Sequence, residues 1–148
     1  MYWILLIPLA LAAGIALPVQ FSLNTQLRNV VGGPVYAAAI SFLVGTVVLF
    51  AITLAARRSI PEIGPLMHAP WWMWTGGLLG AFFVMASVIL TPRLGAATTI
   101  GLFLTGQVIA SITIDHFGLV RVPVHEASLP RLLGAALIIV GVIVVQRF

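Results

Sequence analysis

The sequence predicts an all-α polytopic membrane protein of five transmembrane helices. Three observations carry that prediction. The chain is 61% hydrophobic and only 7% charged, whereas a soluble domain carries about 25% charged residues. So few charges cannot cover a water-facing surface around an apolar core. Its mean hydropathy is +1.19. Its apolar residues fall into continuous runs close to the roughly 20 residues a spanning helix requires. They do not form the roughly ten-residue segments of alternating polarity that mark a membrane barrel. An open sheet is excluded because lipid cannot satisfy free backbone N–H and C=O groups.

The first run covers residues 3–27. It has no positively charged leader, and Pro18-Val19-Gln20-Phe21 is not a small-residue cleavage site, so it reads as a retained helix and not a signal peptide. Pro8 and Pro18 fall inside it, and each removes a backbone donor. They imply either a gentle kink or a hinge that frees the polar half from Gln20 to Gln26. The second run, 35–56, is bounded by Gly32-Gly33-Pro34 and by Arg57-Arg58. The third, 72–90, follows a proline-punctuated loop over 59–70. Trp71, Trp72 and Trp74 open it, as Tyr2 and Trp3 open the first, and such rings seat at the headgroup level. The fourth, 94–114, ends at Asp115-His116-Phe117-Gly118. The fifth, 131–147, is the shortest, so Leu129 and Pro130 are candidates for its first turn. Small residues let membrane helices approach closely. Gly76 and Gly80 in the third span, and Gly134 and Gly141 in the fifth, are the candidate packing positions; Gly101 and Gly106 thin the fourth.

The seven basic residues are all arginine and are scattered singly, apart from Arg57-Arg58. Single arginines beside apolar runs are interfacial anchors and not a nucleic-acid patch, so the bilayer is the expected partner and nucleic acid is not. Five spans put the termini on opposite sides. Arg57, Arg58, Arg121 and Arg131 then share the N-terminal side, and Arg28, Arg93 and Arg147 the other. An excess of one arginine is a weak instruction for orientation. Either the N-terminal side faces the cytoplasm, or the chain inserts both ways. The second possibility permits an antiparallel homodimer, an inverted-repeat arrangement common in secondary transporters.

Chemistry-bearing residues are few. The chain has no cysteine, and His68 and His125 stand in loops without companions at metal-ligand spacing. No metal, cofactor or catalytic residue is expected. No charged residue sits deep in a span: Glu62 and Glu126 lie in loops, and Asp115 closes the fourth helix. A central carboxylate is the usual device of proton-coupled antiport, so a mechanism resting on one is not expected. Amides and hydroxyls remain. Gln20 and Asn24 are spaced i, i+4 on one helix face, and Arg28 continues the line. Gln107, Ser111 and Asp115 repeat that spacing in the fourth span. An unpartnered amide in hydrocarbon costs a few kcal/mol, so these stripes are either interhelical glue or the lining of a pathway. At about 1.5 Å per residue, Gln20 lies about 26 Å from the N-terminal side and Gln107 about 20 Å from the opposite side. Inverting a second copy brings the two to similar depth, so an antiparallel dimer could assemble one pathway from both subunits. Asp115 and His116 are adjacent and do not face each other on a helix. They read as surface caps or as a pH-sensitive pair at the pathway mouth. A neutral, zwitterionic or weakly polar solute fits such a lining.

Several segments carry a resemblance. They are Val19-Gln20-Phe21-Ser22-Leu23-Asn24-Thr25-Gln26-Leu27, Ser41-Phe42-Leu43-Val44-Gly45-Thr46, Trp74-Thr75-Gly76-Gly77-Leu78-Leu79-Gly80-Ala81 and Leu94-Gly95-Ala96-Ala97. To these is added Gly106-Gln107-Val108-Ile109-Ala110-Ser111 leading to Ile114-Asp115-His116-Phe117-Gly118-Leu119. In order and spacing, over nearly the whole chain, they resemble the YdcZ-type inner-membrane exporters, a branch of the drug/metabolite transporter superfamily. The resemblance implies a five-helix subunit that pairs with a second copy or a paralogue as half of a ten-helix, inverted-repeat assembly in the bacterial inner membrane. It implies export of a small solute, with Gln20, Asn24, Gln107, Ser111, Asp115 and His116 at motif positions. The small multidrug resistance relatives have four helices and an intramembrane glutamate in the first; neither feature is present, so their proton exchange is not carried over. A small-solute secondary transporter is the leading expectation. A non-transporting assembly or anchor subunit is the alternative, weakened by loops of only about fifteen residues, short against the partner-binding domain such a subunit would need.

Overall fold

The computed structural model describes residues 3–56, 64 and 67–147, the side chains of 3–5 excepted. Tyr2, the ring of Trp3, the Arg57-Arg58 pair and Glu62 lie outside what is described. Among the described residues five long α-helices follow in order: α1 (Trp3–Val31), α2 (Pro34–Ala55), α3 (Thr75–Leu94), α4 (Ala96–Phe117) and α5 (Leu129–Arg147). Short 3-10 turns at Trp71–Trp74 and Leu119–Arg121 precede α3 and follow α4. All five helices are long and apolar enough to cross a membrane, and no strand occurs among the described residues. The sequence reads as one five-helix domain; packing divides the chain into two compact units, Met1–Pro92 and Arg93–Phe148.

In the first unit, α1 stays helical through both Pro8 and Pro18 and runs four residues past its expected end. Its stop is local chemistry. Gly32 takes a left-handed φ of +81°, and its N–H donates to the Arg28 carbonyl at 3.0 Å, the usual glycine close of a helix. Pro34 then opens α2 at a position where a missing N–H costs nothing. Two residues between helices force α1 and α2 to pack as an antiparallel pair. Among the described residues the buried apolar side chains are few: Phe21, Ala37, Ala38, Val84 and Val88. Large apolar side chains such as Leu9, Leu43 and Phe82 point outward instead, as they should when the solvent is lipid. Phe21 of α1 meets Phe83 of α3 edge-to-face at 5.7 Å between centroids, a favourable aromatic arrangement.

The third helix departs from the sequence expectation. It continues through Pro92 to Leu94, where the sequence suggests a stop near residue 90. Proline at 92 has no N–H for the carbonyl four residues back, Val88. That carbonyl accepts instead from Arg28 Nη1 of α1 at 3.4 Å. A replacement donor from a neighbouring helix is what makes proline tolerable inside a membrane helix.

In the second unit, Gly95 alone separates α3 from α4. Its φ of +82° is one that a Cβ-bearing residue would adopt only under strain. Gly118, with φ +59°, closes α4 by donating its N–H to the Ile114 carbonyl. Val120 and Arg121 follow, also at positive φ, an uncommon conformation for non-glycine residues and a genuine outlier for a β-branched one. Helices α4 and α5 pack closely at Gly101, where an added Cβ would stand 2.9 Å from Val142 Cγ1. Around Gly76, Gly134 and Gly141 an added Cβ would meet nothing within 4 Å, and at Gly80 it would meet Phe42 at 3.4 Å.

Candidate functional site

Helical hydroxyls here mostly bond their own backbone. Ser22, Thr25 and Thr46 donate to the carbonyl four residues earlier, and Ser87 to the carbonyl three residues earlier. A hydroxyl closed in this way is quiet, because its donor needs nothing more from its surroundings. Two buried side chains break the pattern: Asn24 Nδ2 and Thr91 Oγ1 have no hydrogen-bond partner. Asn24 is 5% exposed and Thr91 8%. Leaving a buried donor unmade costs about 1–3 kcal/mol, so each such group in a native fold calls for an explanation.

Both stand a turn from a contact between α1 and α3 in the first unit. Phe21 meets Phe83 and Arg28 reaches Val88, so residue numbers rise together along the two helices and they run parallel. Asn24 lies between Phe21 and Arg28 on the α1 side. Thr91 lies one turn beyond Val88 on α3, on the same face. One turn before Asn24, half-buried Gln20 lines a groove of about 230 Å³ with Ser41, Thr46 and Val84. Three consecutive turns of α1 therefore present an amide at a groove, a buried amide, and a guanidinium drawn to a backbone carbonyl. A wider groove of about 400 Å³ lies between α2 and α3, lined by apolar side chains including Ala38, Phe42, Phe82 and Met85. It offers nothing to orient a polar solute.

The second stripe belongs to the second unit. Gln107 and Ser111 are exposed on α4, and Ser111 Oγ donates to the Val108 carbonyl at 3.0 Å. At the end of the stripe, the connection between α4 and α5 folds back onto the helix terminus. Arg131 Nη2 pairs with Asp115 Oδ2 at 2.5 Å, and its Nη1 donates to the His125 carbonyl at 3.0 Å. The His125 N–H donates to the Asp115 carbonyl at 2.9 Å, and the Ala127 N–H to His116 Nδ1 at 3.2 Å. Asp115 lies at the negative end of the α4 dipole and Arg131 at the positive end of that of α5, both unfavourable placements, and each neutralises the other. His116 Nδ1 accepts, so its proton in the neutral ring is on Nε2. Asp115 and His116 thus act through different partners and not on each other, as their adjacency on the helix predicts. Among the described residues no cluster of metal-ligating side chains occurs.

Sequence reasoning singled out Gln20 and Asn24 and placed Arg28 on their line, but it assigned nothing to Ser87, Val88 or Thr91. The signal for Val88 lay in Pro92, four residues on, which leaves a carbonyl open inside an apolar span.

The family model described as "Putative inner membrane exporter, YdcZ" matches residues 5–144. Over 138 residues the chain is 36% identical to Inner membrane protein YdcZ of Escherichia coli (strain K12), covering 93% of this chain and 91% of that protein. No solved structure matches it. With five spanning helices and a family match over nearly its full length, the chain belongs to the YdcZ family of inner-membrane exporters and is a multi-pass protein of the inner membrane.

Proposed function

We propose that the chain is a small-solute secondary exporter that works as a dimer, with a second copy or a paralogue, and that carries its solute without covalent chemistry. The observation that supports this most is Asn24: an amide 5% exposed in an apolar helix, with its nitrogen unpartnered. An amide serving only as interhelical glue would be bonded. One left open is suited to a partner that comes and goes. In this reading Gln20 and Asn24 of one subunit, with Gln107 and Ser111 of an inverted second, line the pathway. The exposure of Gln107 and Ser111 on α4 suits a contribution made to another copy. Asp115 and His116 stand at its mouth.

Two experiments test the reading. Purified protein in vesicles is screened for flux of metabolites and small organic ions. Flux of at least one solute is expected; none, from a correctly folded dimer, would favour the anchor-subunit alternative. A reporter fused after Phe148 examines orientation. Signal on both faces supports the antiparallel dimer, and signal on one face alone removes it.

A further inference from the structure

The α1–α3 seam is unbalanced in one direction. Arg28 offers only donors, and one of them rests on the Val88 carbonyl at 3.4 Å, beyond the usual range for an N–H···O bond. Two unpartnered groups lie a helical turn away, the amide nitrogen of Asn24 four residues before Arg28 on α1 and the hydroxyl of Thr91 three residues after Val88 on α3, and both can donate. An arginine one turn from a helix end would ordinarily extend its guanidinium toward the headgroups. This one is half-buried and turns to α3. A positive charge flanked by open, buried donors suits an acceptor-rich anion. One guanidinium matches one negative charge, which favours a carboxylate over a phosphate dianion.

We propose that this seam binds the carboxylate of the exported solute: Arg28 exchanges the Val88 carbonyl for the carboxylate, and Asn24 and Thr91 donate to the same group or to polar atoms next to it. The proposal rests on the exporter reading and names its substrate class, a solute that bears a carboxylate in place of the neutral, zwitterionic or weakly polar one suggested by sequence. The exchange is favourable in kind, because an arginine–carboxylate pair is shorter and roughly twice as strong as a bond to a neutral acceptor. It also has a conformational consequence. Once Arg28 leaves, the Val88 carbonyl at the Pro92 break loses its donor, and α3 loses that tether to α1.

The test uses full-length protein in mixed micelles and vesicles. Unfolding midpoints are measured with acetate, lactate and benzoate, with acetamide, lactamide and benzamide, and with inorganic phosphate. At least one carboxylate is expected to stabilise the wild type where its amide and phosphate do not. Arg28→Gln is expected to weaken that carboxylate by at least about tenfold, Arg28→Lys by less, and Thr91→Val measurably while keeping side-chain shape. Should Arg28→Gln fail to fold, the lysine and Thr91 variants decide. The proposal is overturned if no carboxylate stabilises the wild type, if amides or phosphate do so equally, or if the variants bind as the wild type does. Flux separates it from the reading beneath it. Amine or amide export unaffected by Arg28→Gln overturns the carboxylate site while the exporter stands. Arg28-dependent carboxylate binding with no flux of any probe keeps the site and removes the exporter.

Discussion

Replacing Pro92 with alanine gives the Val88 carbonyl the backbone donor it lacks. Proline inside a helix costs about 3 kcal/mol relative to alanine. The Arg28 bond offsets part of this, about 1 kcal/mol given its 3.4 Å length. Pro92→Ala should therefore stabilise the protein by about 2 kcal/mol. The sharper expectation is the coupling. Arg28→Gln should cost about 1 kcal/mol in the wild type and only a few tenths beside Pro92→Ala, because the carbonyl is then satisfied from its own helix. Unfolding by SDS from mixed micelles, followed by tryptophan fluorescence, gives all four corners of the cycle. Equal cost of Arg28→Gln in both backgrounds would refute the argument that Arg28 serves the proline-freed carbonyl.

Three other outcomes follow from the geometry. Gly101→Ala should destabilise by about 1–3 kcal/mol through overpacking, because its Cβ would stand 2.9 Å from Val142 Cγ1; Val142→Ala in the same chain should recover most of the loss in the same SDS titration. Gly118→Ala should cost at least about 1 kcal/mol, since it sets a side chain at φ +59° with its Cβ 2.8 Å from Val124 Cγ2, and the lowered unfolding midpoint would report it. The bond from Ala127 N–H to His116 Nδ1 needs an unprotonated acceptor. Removing that acceptor with His116→Ala should therefore speed hydrogen exchange at the Ala127 amide relative to the wild type.

Much of the architecture is legible in the sequence because lipid imposes it. Twenty-residue apolar runs have no other stable form in a bilayer, and the i, i+4 spacing of Gln20, Asn24 and Arg28 places them on one face whatever surrounds the helix. Local signals also set the turns: Gly32, Gly95 and Gly118 all stand at helix ends with positive φ. What sequence hides is tertiary. The third span reads as ending near residue 90, whereas α3 continues through Pro92 to Leu94 with the Val88 carbonyl accepting from a guanidinium of α1. Gly101 marks the close approach of α4 and α5, which depends on where Val142 projects. Thr91 resembles every other helical hydroxyl in sequence, and only its burial without a partner sets it apart.

The pathway reading turns on Asn24, and one paired measurement tests it most directly. Asn24→Leu keeps the side chain's approximate size and removes the unpartnered amide. If the amide exists for a passing solute, the variant should be more stable than the wild type, by about 1–3 kcal/mol, and should lose solute flux in vesicles. A variant that is destabilised yet still transports at the wild-type rate would contradict the account, because the amide would then be holding the fold together and not meeting the solute.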